Sequence, residues 1–149
     1  MENIVPMLIL ASQSATRKAL LQQAGLAFST ASAAIDERRL EQAVLERGGD
    51  GRDVALLLAE KKAAAIAATH AGAIVIGADQ TLSLGAELLH KPASRAEAAA
   101  QLDHLRGKTH RLHAAVVLVR DGELLWSGVE TAELTMRDFS PAERDDVLQ

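Results

Sequence analysis

Two rhythms of apolar and polar positions run along this chain, and each change of rhythm marks an element. Met7–Ala11 is a short apolar run that predicts a buried strand. A helix from about Ala15 to Ala24 follows, with Ser14 as N-cap, Gly25 as the stop, and Leu20, Leu21 and Ala24 on one apolar side. Phe28–Ala33 predicts a second strand. The stretch "AIDERRLEQAVLERGGDGRD" is polar and Gly-punctuated at its end, which predicts a short helix and a mobile loop. Asp53 is the expected cap of a longer helix, Val54 to His70, ended by Gly72.

The β-branched run from Ala73 to Asp79 predicts a buried central strand. "TLSLGAELL" alternates around Gly85-Ala86 and predicts a small hairpin. "SRAE" at Ser94–Glu97 has capping-box spacing, and Gly107 stops the helix it opens. "HRLHAAVVLVRDGELLWSGVETAELTM" divides into two long strands at Asp121-Gly122, the chemistry of a type I′ turn. Ser140 and Pro141 then open a last helix. No repeat or linker interrupts this order, so residues 1–149 are expected to form a single domain. Its class is α/β, with a mixed sheet that includes an antiparallel part.

Composition narrows the function. Aromatic residues are only 2% of the chain, so the core is expected from Leu, Val, Ile and Ala. The net charge is −4, without the basic field of a nucleic-acid binder. Cysteine is absent, which excludes disulfides, thiolate zinc sites and a cysteine nucleophile. The opening "MENIVPMLIL" lacks a basic n-region and is interrupted by Pro6, so no signal peptide is expected. No stretch approaches the ~18 apolar residues of a membrane span. The expectation is a cytoplasmic protein.

Four positions carry candidate chemistry. Arg17 falls at N3 of the first helix, where a cation opposes the helix dipole by ~0.3–1 kcal/mol. Either it is a solvated side chain, or it converges with Ser12, Ser14 and the helix N-terminus on a phosphate. Asp79 is expected at the end of a central strand, where ligands bind in open α/β sheets, and can serve as a metal ligand or general base. The alternative is a turn-capping Asp. Lys62 shares a helix face with Leu58 and Ile66, while Lys61 lies beneath Leu57; periodicity does not choose between the two lysines. Lys91 is held extended by Pro92. Asp36-Glu37 alone reads as a solvated acidic patch. His110 and His113 face opposite sides of a strand and make a poor metal site. There is no Walker A, G-x-G-x-x-G or G-x-S-x-G motif.

Taken in order, "LASQSATR", "IDE", "LAEKKA" and "VIGADQTLSLGAELLHKP" resemble the motifs of the Maf family of nucleoside triphosphate pyrophosphatases. The resemblance implies a mixed twisted sheet flanked by helices, of Maf/ITPase-like type. It implies hydrolysis of a nucleoside triphosphate to monophosphate and pyrophosphate with a divalent metal, Mg²⁺ or Mn²⁺. The family's proton acceptor falls on Asp79. Its phosphate-binding Arg falls on Arg17 with Ser12 beside it, its acidic metal residue on Glu37, and its lysines on Lys62 and Lys91. Glu37 and Asp79 are thus the implied metal pair. Gln80 resembles the branch associated with modified guanine nucleotides such as 7-methyl-GTP. Ala15, Thr16 and His90 depart from the family pattern. Family members also continue for several dozen residues beyond Gln149, so C-terminal elements are expected to lie outside this chain. The alternative function is a catalytically impaired nucleotide-binding or division-related interaction protein. The expected partner is the nucleotide, with neither nucleic acid nor membrane, and a homodimer is an expected assembly.

Overall fold

The computed structural model describes residues 7–149; the leader reading at residues 1–6 lies outside the described residues. Among the described residues, no helix is long and apolar enough to cross a membrane. The elements are β1 (Leu8–Ala11), α1 (Ala15–Gln23), β2 (Ser29–Thr30), α2 (Glu37–Glu46), α3 (Gly51–Ala67), β3 (Ile74–Leu84), β4 (Glu87–Leu89), α4 (Arg95–Leu105), β5 (Thr109–Arg120), β6 (Glu123–Thr135) and α5 (Pro141–Val147). They form the expected mixed sheet flanked by helices, with strand order β2-β1-β3-β5-β6 and β4 attached to β3. β1 runs parallel to β2 and β3, whereas β3–β4, β3–β5 and β5–β6 are antiparallel.

An alanine ridge explains how this core closes with so few large side chains. Ala55, Ala59, Ala63 and Ala67 recur every four residues, so they line one stripe of α3. All four are buried against Ile9, Val75, Ala115, Val117 and Val119 of the sheet. Small side chains let the helix axis approach the strands closely. Gly77 completes the contact: a Cβ there would sit 2.1 Å from the Ala59 carbonyl oxygen and 2.8 Å from the Ala63 Cβ. The obstacle is backbone, which has no rotamer to move away.

Several boundaries differ from the sequence reading. Asp79 does not end a strand. The expected strand runs without a break into the first arm of the expected hairpin, so both are β3, with pairing to β5 unbroken from Val75↔Val119 to Ser83↔Arg111; the hairpin itself is present, turning at Gly85-Ala86 into β4. Asp53 does not cap α3. Asp50 does, and Asp53 answers it from N3 in a reciprocal capping box, with both bonds at 3.0 Å. The expected mobile loop shrinks accordingly to a tight connection between Glu46 and Gly51, because α2 fills most of the polar stretch. β2 is only two residues long. The apolar side of α1 stays uncovered, since no residue of that helix is buried and Leu20 is 60% exposed. The type I′ turn is present, with positive φ at both Asp121 and Gly122.

The Gly77 contact sets a test. Gly77→Ala is expected to destabilise the fold by ~1–3 kcal/mol, read as a lowered urea midpoint at unchanged slope. A neutral result would mean that α3 stands further from β3 than described.

Candidate functional site

The site begins where β1 stops. Parallel pairing ends at Ala11↔Gly77, and the chain leaves through Ser12 into α1. β3 continues, still paired to β5 on its other side. From Ala78 to Thr81, between the end of β1 and the start of pairing with β4, one flank of β3 is therefore open. Strand alternation puts Val75, Gly77, Asp79, Thr81 and Ser83 on one face. That face looks at α3: Gly77 meets Ala59, and the Thr81 hydroxyl donates to the Gly51 carbonyl at 2.6 Å. Asp79 thus projects from the open notch toward the helix layer.

Lys62 comes to meet it from α3. Its ammonium donates to Asp79 Oδ1 at 2.9 Å and to Glu37 Oε1 at 2.7 Å. Glu37 is the first residue of α2, placed there because Asp36 caps the helix by accepting from the Arg39 N–H at 3.2 Å. The acidic pair is therefore not a solvated patch: Asp36 caps, and Glu37 is drawn into an ion pair. The choice between the lysines is also made by geometry, since Lys61 is exposed.

One ammonium serves two carboxylates, and proton affinities rise at both Asp79 and Lys62. Asp79 is pushed above the usual carboxylate range by burial first; the Lys62 hydrogen bond and charge oppose this, and the Glu37 charge reinforces it. Burial pulls Lys62 down, but hydrogen bonds and charges from Glu37 and Asp79 outweigh it and hold the ammonium above its ordinary value. The Arg17 charge draws Asp79 slightly back. Arg17 itself is anchored by its guanidinium, whose Nη1 donates to Ser12 Oγ at 3.2 Å. Ser12 Oγ also accepts from the Ser14 N–H at 3.1 Å, and Ser14 caps α1. No acidic side chain lies in the first turn of α1.

Two cavities flank the cluster, and Glu37 lines both. One, of about 290 Å³, is bounded by Asp79, Gln80 and Lys91. The other, of about 410 Å³, is bounded by Ser12 and Lys62. Arg17 lines neither cavity and reaches them only through its contact with Ser12. Gln80 is the least engaged, because it alternates with Asp79 and lies at the exposed rim. Sequence reasoning missed Arg38 and Glu41, which line the first cavity with His90. The available signal was helical spacing, since Glu41 follows Glu37 by one turn. Of the two strand histidines, His113 is structural, contacting Ser83 Oγ at 3.1 Å and Thr131 Oγ1 at 2.9 Å, whereas His110 is buried with its Nδ1 unpartnered among the described residues. Among the described residues, no group of three or more His, Asp or Glu is placed to hold a metal.

Replacing Lys62 tests the electrostatics. Lys62→Met leaves two facing carboxylates and is expected to cost about 1–3 kcal/mol at pH 7. In the wild type the Lys62 contribution is fully present below about pH 10.5 and fades only as pH rises past its elevated folded value. The elevated Asp79 value works oppositely, weakening the fold above the ordinary Asp range, more so once Lys62 is gone. The deficit of the variant should therefore shrink between pH 7 and pH 4.5 in urea unfolding. A pH-independent deficit would assign the effect to the lost packing of the lysine stem instead.

Known proteins bear on this arrangement. The chain is 54% identical over 132 residues to a 7-methyl-GTP pyrophosphatase of Brucella abortus, an alignment spanning 89% of this chain and 66% of that protein. It is 51% identical over 136 residues to a nucleoside triphosphate pyrophosphatase of Bradyrhizobium diazoefficiens, spanning 91% and 66% respectively. The chain therefore spans about two thirds of the length of these relatives. In fold it is similar to a HAM1 protein from Coxiella burnetii, with a TM-score of 0.55 at 16% identity, over 96% of this chain and 91% of that one. A family profile described as Maf-like protein matches residues 7–149. By that match and by these identities, the chain belongs to the Maf-like protein family.

Proposed function

We propose that this chain carries the catalytic cleft of a nucleoside triphosphate pyrophosphatase, acting on 7-methyl-GTP or a similar nucleotide. The observation that supports this best is the Glu37–Lys62–Asp79 cluster, set in an open notch with Ser12, Arg17 and Lys91 around it. Two relatives bearing the matching names agree with it. In this reading Asp79 Oδ1 stays with Lys62, and Oδ2, which has no hydrogen bond among the described residues, takes a proton from water. The water oxygen bonds to the α-phosphorus while the bond to the β-phosphate oxygen breaks. Monophosphate and pyrophosphate result. Burial suits Asp79 to this role, because a base of raised proton affinity is a stronger acceptor. Arg17, Lys62 and Lys91 would spread the triphosphate charge, which is where most stabilisation in phosphoryl transfer arises.

A divalent cation fits the same residues. Glu37 and Asp79 already converge on one positive group, the Lys62 ammonium, and their donors are hard carboxylate oxygens. Mg²⁺ and Mn²⁺ favour such ligands, and Mg²⁺ commonly takes only one or two carboxylates, completing its shell with water and substrate phosphates. When bound, the metal would supply further neutralisation of phosphate charge.

Pyrophosphate release from 7-methyl-GTP, GTP, UTP and dTTP with Mg²⁺ tests the reading. Asp79→Asn is expected to lower kcat by roughly 10²-fold or more. The wild-type kcat/KM should fall on acidification through a value above the ordinary Asp range, since the base must be unprotonated. A wild type inactive on all four, or a variant equally active, would overturn the proposal.

A further inference from the structure

The first cavity has a second end that the phosphate chemistry does not use. Glu41 lies one helical turn beyond Glu37 on the same face of α2, roughly 6 Å along the axis. Glu41 and Asp79 line the same cavity, so a nucleotide with its α-phosphate at Asp79 can extend its base toward Glu41. Between the two ends the cavity is lined by Val54, Leu58 and Leu88, of which Val54 and Leu58 are buried core residues. An apolar floor with a few placed polar groups is the usual composition of a base pocket, and here those beyond the phosphate end are Glu41, Arg38 and His90.

Glu41 is unevenly partnered. Its side chain is only 12% exposed, whereas the groups that satisfy it are open to solvent: His90 at 44% and Arg38 at 66%. His90 Nε2 meets both carboxylate oxygens, at 2.8 and 3.0 Å, and Arg38 Nη1 meets one at 3.4 Å. The His90 backbone is separately held, its carbonyl accepting from Gln101 Nε2 at 2.8 Å. The ring can therefore leave Glu41 by side-chain rotation without moving Lys91. A planar N–H heterocycle across both oxygens of a recessed carboxylate occupies the place a nucleobase edge would take.

We propose that Glu41 is the base-reading residue of this cleft and selects guanine-type bases, with His90 as an internal occupant that the base displaces. The chemistry follows from donors and acceptors. An ionised carboxylate only accepts, and accepts two parallel N–H groups well. Guanine presents two adjacent donors on its pairing edge, N1–H and the N2 amino group. Uracil and thymine present one N–H between two carbonyls, and adenine and cytosine place an acceptor nitrogen beside the amino group. Each of these leaves one Glu41 oxygen facing an acceptor, which binding penalises strongly. Methylation at N7 adds positive charge to guanine, which a recessed carboxylate favours further.

This inference rests on the pyrophosphatase reading for the placement of the phosphates, but it concerns binding and is measured without turnover. The dissociation constants of 7-methyl-GTP, GTP and UTP are compared by calorimetry in Asp79→Asn protein, with and without Glu41→Gln or His90→Ala. Glu41→Gln is expected to reduce the preference for GTP over UTP about tenfold or more, and that for 7-methyl-GTP further. His90→Ala is expected to tighten guanine nucleotides several-fold, because it frees Glu41; a merely structural His90–Glu41 contact would weaken binding of every nucleotide. An equal loss for all three ligands in Glu41→Gln, an unchanged ratio, or no binding of any nucleotide would overturn the proposal. If the base preference responds as expected while the wild type releases no pyrophosphate, base reading stands and the hydrolytic reading falls.

Discussion

A single ammonium group shared by two carboxylates ties three packed elements together at one point. Lys62 belongs to α3, Glu37 to α2 and Asp79 to β3, and these residues meet through two ion pairs, both under 3 Å. Such short contacts are available only because α3 lies close on the sheet. The alanine stripe and Gly77 give it that closeness. Core packing and site chemistry are therefore one design, since the small residues that bring the helix down also deliver the lysine to the notch left by β1.

The electrostatic character of the cleft is one of local imbalance. Two carboxylates compete for one lysine, while Arg17 and Lys18 occupy the first turn of α1 with no acidic residue to offset them. Each feature alone is a minor conflict between local preference and fold. Conflicts of this kind are tolerated where a ligand resolves them. A polyanion with its counter-cation fits both, giving the arginine its anion and the carboxylates their second positive charge. The apolar floor with Glu41 adds a recognition surface of different character beside this charged end.

What could be read from the chain beforehand followed the strength of local signals. The two-residue turn at Asp121-Gly122, the stop at Gly72 and the cap at Ser140 depend on the backbone preferences of single residues, and those were visible. Asp53 reads as the cap of α3 because both members of a reciprocal Asp–Asp box look alike in sequence. Asp79 lies beside a strand end, but not its own. The strand that ends beside it is β1, a tertiary fact that no window around Asp79 contains. Lys62 and Lys61 were equivalent by periodicity, and the partner that separates them, Glu37, lies on another helix. Glu41 went unseen because its significance depends on His90, which approaches it across the cleft from a distant part of the chain.

The two-sided pairing of β3 has a kinetic consequence. Its antiparallel neighbour β5 is joined to β6 by a two-residue turn, so that part of the sheet can form through short loop closures. Its parallel neighbour β1 lies across α1, α2 and α3, and must be brought in over a much longer stretch of chain. Closing such loops costs conformational entropy before any contact repays it. Topology therefore divides the molecule into an early antiparallel ribbon and a late parallel flank. The cleft sits on the seam between them, where amide protection is expected to be lost before the ribbon itself opens.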